Sequence, residues 1–470
     1  MDERIKTFFS EITKTGDFNI YQDSLICFES GLAVMARHGK ERFLFATGSA
    51  PLIDELNGTT IGGVKKCPCD HANRLIINKH LNYTRPQAFG CEQPTFGFGD
   101  RLGVTTPAHI TSIKNHSVKP ILAQQSKREM SLTGRTLNDV LDDVVYGVLQ
   151  TGYKGGFGAD ADHLKEAGDV EEALDLGVSM ITLDCSNVLG NKNRKRVLNE
   201  SLKDEYRSYK PVMESLGIKD RRHSLQEINN IYSDALDFIE YIYKKQIKGR
   251  PMPIDFEISL DETSEITSPL GHFFVANELR KRDVRITSIA PRFVGKFEKG
   301  VDYIGEVDDF RKDLRVHCNI AKYFGYKISL HSGSDKFSIF TAFSEEAEGR
   351  FHVKTSGTSW LEALRVISVK NPPLFNDIFN VSLEVFEKAK TYYDVGANLN
   401  EIEPIEKKDP ANYVQYLNDR HARQCLHIGY GYVLADAEVN SRIYNTLLQN
   451  EEFFIETASK HLANHLEMLE

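Results

Sequence analysis

Long apolar runs are absent from this 470-residue chain: nowhere do the roughly 18 consecutive apolar residues of a membrane-spanning helix occur. The opening stretch, Met1 to Gly16, mixes charges with isolated apolar side chains and lacks the continuous hydrophobic segment of a secretion signal. These two absences predict a cytoplasmic protein without a membrane partner. Cysteine is scarce, with seven residues at 27, 67, 69, 91, 185, 318 and 425. An odd number scattered over so long a chain argues for reduced thiols and against a disulfide framework. No stretch is basic enough to track a phosphate backbone, and 58 Lys and Arg against 67 Asp and Glu leave a formal net charge of -9. Nucleic acid is thereby excluded as a partner, and the densest basic run, Asn191 to Arg196, reads as a solvated loop.

Several chemical signatures are missing as well. There is no G-x4-G-K-[ST] phosphate loop and no G-x-S-x-G nucleophile elbow. Gly97-Phe-Gly99-Asp-Arg-Leu-Gly103 loosely matches a dinucleotide fingerprint, but it reads as preceding a strand and its third glycine is misplaced, so no nicotinamide cofactor is expected. Cys67-Pro-Cys69-Asp-His71 has the look of half a zinc site; its C-x-C spacing is tighter than the usual C-x2-C, and only Cys91 is near enough in sequence to help complete it.

What is present is an ordinary globular composition, 41% hydrophobic and 27% charged, with enough apolar material for a large core. From about Arg101 onward, β-type runs alternate with helix-period segments, which predicts an α/β protein built on a (β/α)8 TIM-type barrel. The eight expected strands are Leu102–Thr105, Pro120–Gln125, Tyr153–Asp160, Met180–Asp184, Ile254–Leu260, Arg285–Ala290, Lys327–His331 and Phe351–Lys354. Helix signals support them. Thr136 precedes an apolar face of Leu137, Val140, Leu141, Val144, Val145 and Val148. Ser224/Glu227 and Ser359/Glu362 are spaced as capping boxes, Ser268-Pro269 opens a helix, and Gly325 closes another. The expected organisation is an N-terminal extension (1–95) with strand-like Leu25–Ala36 and Arg42–Thr47, a barrel (96–374) and a C-terminal helical region (375–470). A helix-rich insertion at about 187–250 is expected to cover the barrel mouth or to make a subunit contact.

In such barrels, polar side chains at the carboxyl ends of several strands converge on one site. His163, His331 and Glu298, from the ends or loops of three strands, form a set suited to a divalent cation with open positions, with Zn, Mn, Ni, Co and Fe all compatible. Asp255, Glu257 and Asp261 alternate along the fifth strand on one face, which would be costly inside a barrel unless paired or used. His272 reads as a helix-surface residue and His109 as lining the first loop.

The motifs Gly-Phe-Gly-Asp-Arg-Leu-Gly (97–103), Gly-Ala-Asp-Ala-Asp-His-Leu-Lys (158–165), Phe-Glu-Ile-Ser-Leu-Asp-Glu-Thr (256–263), Ala-Pro-Arg-Phe-Val-Gly (290–295) and Leu-His-Ser-Gly-Ser-Asp-Lys (330–336) resemble the tagaturonate/fructuronate epimerase family. The resemblance implies a metal-dependent ketohexuronate epimerase of hexuronate catabolism. It further implies Asp162 as proton acceptor, Glu257 as proton donor, and His163, Glu298 and His331 as metal ligands, with Asp255 and Asp261 close enough to Glu257 to compete for its role. The two ketohexuronates differ at C3, which is β to the C5 ketone, so a retro-aldol break of C3–C4 inverts it more readily than deprotonation does. Lys336 and Lys354 are the expected cations for the substrate carboxylate. A metal-dependent sugar isomerase or aldolase on the same barrel, and a non-catalytic sugar-acid binding protein, are the alternatives.

Overall fold

A computed structural model describes residues 2–190, 196–219, 223–263 and 265–470, so of the basic run at 191–196 only Arg196 can be placed; it pairs with Asp234 and Asp237. Among the described residues, eight parallel strands close a barrel: β1 Thr95–Phe98, β2 Lys119–Ser126, β3 Gly158–Leu164, β4 Met180–Asp184, β5 Asp255–Ser259, β6 Ser288–Ala290, β7 Lys327–Leu330 and β8 Phe351–Thr355. β4 pairs with β5 and β8 with β1, which completes the ring. The helices after each strand include α1 Thr106–Ser112, α2 Leu137–Gln150, α3 Ala167–Asp175, α4 Leu225–Ile242, α5 Pro269–Lys281, α6 Val307–Phe324, α7 Phe337–Ala347 and α8 Thr358–Lys370. The capping box at Ser224/Glu227, the Ser268-Pro269 start and the left-handed Gly325 stop occur as expected. The Ser359/Glu362 box does not form: α8 begins at Thr358, and Ser359 Oγ instead donates to the Gly99 carbonyl, tying α8 to the loop after β1.

Two strands differ in register from the sequence expectation. β1 is Thr95–Phe98, not Leu102–Thr105; glycines in and just after it serve close approach across the barrel wall, since a Cβ on Gly97 would collide with the Gln124 side chain and one on Gly99 would lie 2.7 Å from Ser356 Cα. The 97–103 motif therefore does link a strand to a helix. Its anion-binding place is already taken, however, since the Asp100 carboxylate accepts from the backbone N–H of Leu102, Gly103 and Thr105. β3 is Gly158–Leu164, not Tyr153–Asp160, so Asp160 and Asp162 lie inside the strand, where two buried carboxylates look unlike a strand until their lysine partner is known.

The N-terminal residues form a five-stranded antiparallel sheet. Leu25–Ala36 is broken by a turn into two of its strands, with Phe28 N–H donating to the Gly31 carbonyl. Leu32, Val34 and Ala36 face the helix Glu3–Thr15, while Ala33 and Met35 face the barrel side, which explains the unbroken apolar run. Among the described residues, none of the insertion lines the cavity over the barrel. Tyr206 of its helix Glu200–Ser208 packs edge-on against Phe273 and tilted against Phe274 of α5. His272 is fully buried in α5, between His317 and the Tyr326 hydroxyl, and is not a surface residue. His109 lies within α1, stacked on Phe98 and bonded to Ser359. At the C-terminus, residues 372–450 build a second apolar core on α8, and the last helix, Glu451–Glu467, packs between α1 and α8.

Candidate active site

Strand alternation sends Asp160 and Asp162 of β3, Thr182 of β4, Asp255 and Glu257 of β5, and His352 and Lys354 of β8 into the barrel. Asp255 is at the bottom, where its carboxylate accepts from the N–H groups of Phe89 and Gly90 at 2.7 and 2.9 Å. That position removes it from competition for the chemistry. One layer higher, Lys354 Nζ lies 2.7 Å from Asp160 Oδ2, 2.7 Å from Asp162 Oδ1 and 2.9 Å from Glu257 Oε1, and it also donates to Thr182. Burial alone would lower the lysine, but three carboxylates hold it well above its usual value. Burial pushes Asp160 up to about 6 against the pull of Lys354. Asp162 and Glu257 go the other way: burial opposes them too, but the adjacent imidazoles and Lys354 keep both well below the usual carboxylate range.

The top layer holds the imidazoles. His163 Nδ1 is 2.8 Å from Asp162 Oδ1, and His331 Nε2 is 2.7 Å from Glu257 Oε1. The other nitrogen of each ring, His163 Nε2 and His331 Nδ1, is buried with no hydrogen-bond partner. Both face Asp261 Oδ1, at 3.9 and 3.1 Å, and the ring centroids are 4.9 Å apart. Ligands around a metal with bonds of about 2.1 Å lie roughly 3.0–3.4 Å apart, so this trio needs only a small contraction to share an ion. Carboxylates behind both rings are the usual means of fixing the tautomer of a metal-binding histidine. On these grounds the side chains fit a divalent cation. Strain is concentrated here too: His163, Ser332 and Asp335 are non-glycine residues with φ of 55°, 52° and 59°.

The structure brings His163, His331, Asp162, Glu257 and Lys354 together, as the sequence suggested, but not Glu298 or Lys336. The third carboxylate in the imidazole group is Asp261. Glu298 lines the same cavity, yet its Oε2 accepts from Gly396 N–H and Gln424 Nε2, both at 3.0 Å. Lys336 directs its three ammonium protons at the carbonyls of Glu298, Val301 and Ser334, and so anchors the loop after β6 with no proton left for a substrate. Lys354 is likewise saturated by carboxylates. Among the described residues, neither Cys67 nor Cys69 belongs to a group able to hold a metal. Cys67 sits in a strand of the N-terminal sheet, and His71 pairs with Asp142.

Over the imidazoles opens a cavity of about 350 Å³, lined among others by Asp261, Glu262, Arg292, Glu298, Lys299 and His331, together with Arg128, Tyr392 and Tyr393. Asp261 was legible as a member of the alternating carboxylate series. Lys299 and Arg128 carried no signal beyond their charge.

A small polar cavity at the carboxyl end of a closed barrel, floored by an imidazole–carboxylate group, is an enzyme's site, and the comparisons with known proteins give its class. The profile of the tagaturonate epimerase family matches residues 21–469. The chain belongs to that family. It is therefore an isomerase of the carbohydrate epimerase type. The tagaturonate/fructuronate epimerase of Thermotoga maritima is 42% identical over 418 residues, 86% of each chain. Two crystal structures of the fructuronate-tagaturonate epimerase of Cohnella laeviribosi superpose closely: a glycerol complex with TM-score 0.89, 39% identity and coverage of 100% of this chain and 99% of that one, and a native form with TM-score 0.88, 40% identity and 99% of each. The extra sheet and C-terminal helices thus belong to the shared epimerase architecture. Among the described residues, no helix is long and apolar enough to cross a membrane.

Proposed function

We propose that this epimerase interconverts D-tagaturonate and D-fructuronate at C3, with a divalent cation held by His163 Nε2, His331 Nδ1 and Asp261. The observation that carries the reading is the pair of buried, unpartnered imidazole nitrogens converging on one carboxylate at the barrel mouth, each backed by a second carboxylate. When bound, such an ion would offset negative charge developing on substrate oxygens.

The chain's own groups supply the proton chemistry. Asp162 Oδ1 is engaged by His163 and Lys354, while Oδ2 carries no hydrogen bond among the described residues, leaving one oxygen to take the C3 hydroxyl proton. Loss of that proton lets the C3–C4 bond break: C3 becomes an aldehyde, and the bond electrons pass to the C4–C5 enediolate. Rotation of the aldehyde about C2–C3 presents its other face, C4 re-forms the bond, and the new C3 alkoxide recovers a proton. Glu257, the expected donor, has Oε1 on His331 and Lys354 and Oε2 on Ser288, so in this geometry it acts on the site by fixing His331.

The test is conversion of purified fructuronate by metal-stripped and metal-restored protein, run in D2O. The reading expects tagaturonate only after metal is restored, with no deuterium on carbon at C3, since a retro-aldol route moves only hydroxyl protons there. Full activity of the stripped protein would remove the metal from the proposal, and deuterium at C3 would replace carbon–carbon cleavage by deprotonation.

A further inference from the structure

The two lysines expected to bind the substrate carboxylate are saturated within the barrel, yet a ketohexuronate carries an anionic end that must be met. At one edge of the cavity two cations, Lys299 and Arg128, feel Glu129 and Glu262 only at longer range than an ion pair. Lys299 Nζ donates to Ser332 Oγ at 3.0 Å, its one hydrogen-bond partner among the described residues, and Ser332 directly follows His331. Arg128, at the start of the short helix after β2, donates to the Tyr392 carbonyl at 3.2 Å and lies over the Tyr393 ring at 4.8 Å, contacts that fix its plane without neutralising it. Neither residue has a carboxylate within ion-pair distance among the described residues. Behind them Arg101 is matched by Glu129 at 2.9 Å. Arg128 is itself exposed at the cavity's edge, as is Lys296, while Arg292 donates to the Thr263 carbonyl. Of the lining acids, Asp394 is exposed, and Glu262 faces His163 at 3.9 Å. Beside its imidazoles and carboxylates the cavity therefore carries two cations that, among the described residues, no ion pair engages.

We propose that Lys299 and Arg128 form the subsite for the substrate's C1 carboxylate, the guanidinium gripping it as a planar fork and the ammonium as a point charge beside the reacting end. This rests on the epimerase reading given above. The subsite selects a sugar acid over the neutral sugar of the same carbon chain, and it fixes the C3–C4 bond at a set distance from the imidazole group.

The experiment uses Lys299→Met, Arg128→Met and Arg128→Lys, each checked for an unchanged melting temperature, with two readouts. In steady-state kinetics on fructuronate, the methionine variants are expected to raise KM about ten- to hundredfold, the size of one lost charge-assisted hydrogen bond, with a smaller change in kcat; Arg128→Lys falls between. In calorimetric titration, D-gluconate should bind the wild type more tightly than D-glucitol, and Lys299→Met should abolish that preference. A KM within twofold of wild type in both methionine variants, or an intact gluconate preference, overturns the subsite. If the wild type fails to convert any ketohexuronate, the epimerase reading falls, while the gluconate–glucitol comparison still decides the subsite on its own.

Discussion

His163 and His331 each give one ring nitrogen to a carboxylate and keep the other bare, so in the proposed reading the atoms that would bind an ion differ from the groups that orient them. Asp261→Asn is accordingly expected to lose most bound metal, and Glu298→Gln to keep it, as measured by elemental analysis of purified protein; the opposite result would return Glu298 to the ion and make its contacts with Gly396 and Gln424 a resting arrangement. Asp162→Asn should slow epimerisation about 10²–10⁴-fold, the usual size for a lost acid or base. Glu257→Gln acts differently: by loosening His331 it should weaken metal affinity about 10–100-fold in a competition titration with a chelator. The histidines were legible in sequence because each ends a strand. Glu298 lines the cavity but bonds to Gly396 and Gln424, since distance along a loop does not say which way a side chain folds back. The lysines were misjudged for a similar reason: strand ends show that Lys336 and Lys354 are near the mouth, but not that carbonyls and carboxylates already surround them.

At the scale of the element, most of the barrel could be read from alternation and helix caps, and the two strands that could not, β1 and β3, are those whose composition serves the site. The glycine in β1 and the aspartates in β3 lower strand propensity, and both are accommodated by partners in other strands, Gln124 and Lys354. The docking of the last helix was equally invisible. There His461 Nε2 meets Asp335 Oδ1 at 2.6 Å, Arg423 holds Oδ2 at 2.8 Å, and His465 Nε2 accepts from Asp335 N–H at 2.9 Å. Burial opposes the charged imidazole of His461, but Asp335 and Glu362 outweigh it and raise its pKa. A raised histidine stabilises the fold fully below its unfolded value of about 6.5 and loses that contribution as pH climbs through the raised one. Thermal melts of His461→Gln should therefore fall short of wild type at pH 6 and approach it at pH 9. A deficit independent of pH would mean that packing alone is lost.

Across the whole molecule, the N-terminal sheet and C-terminal helices are not appendages, because they bury surface that the barrel cannot bury itself. Phe454, Ala458, Leu462 and Leu466 of the last helix are buried between α1 and α8, the two helices that flank the closure of the ring. Truncation after Gln449 should expose that seam and lower the melting temperature well beyond the ~2 °C expected of a single small contact, with association visible in size-exclusion chromatography. The far end of the barrel is crossed by the segment before β1: the N–H groups of Phe89 and Gly90 donate to Asp255, and Lys327 donates to the Gln93 carbonyl at 3.4 Å. In the proposed reaction the intermediate is a pair of three-carbon fragments held only by the cavity, and each turnover divides between rejoining them and letting them escape. Escape is then set by the rim that Tyr392 and Tyr393 help to line, where a wider opening is expected to raise the leak of three-carbon products without touching the residues that break the bond.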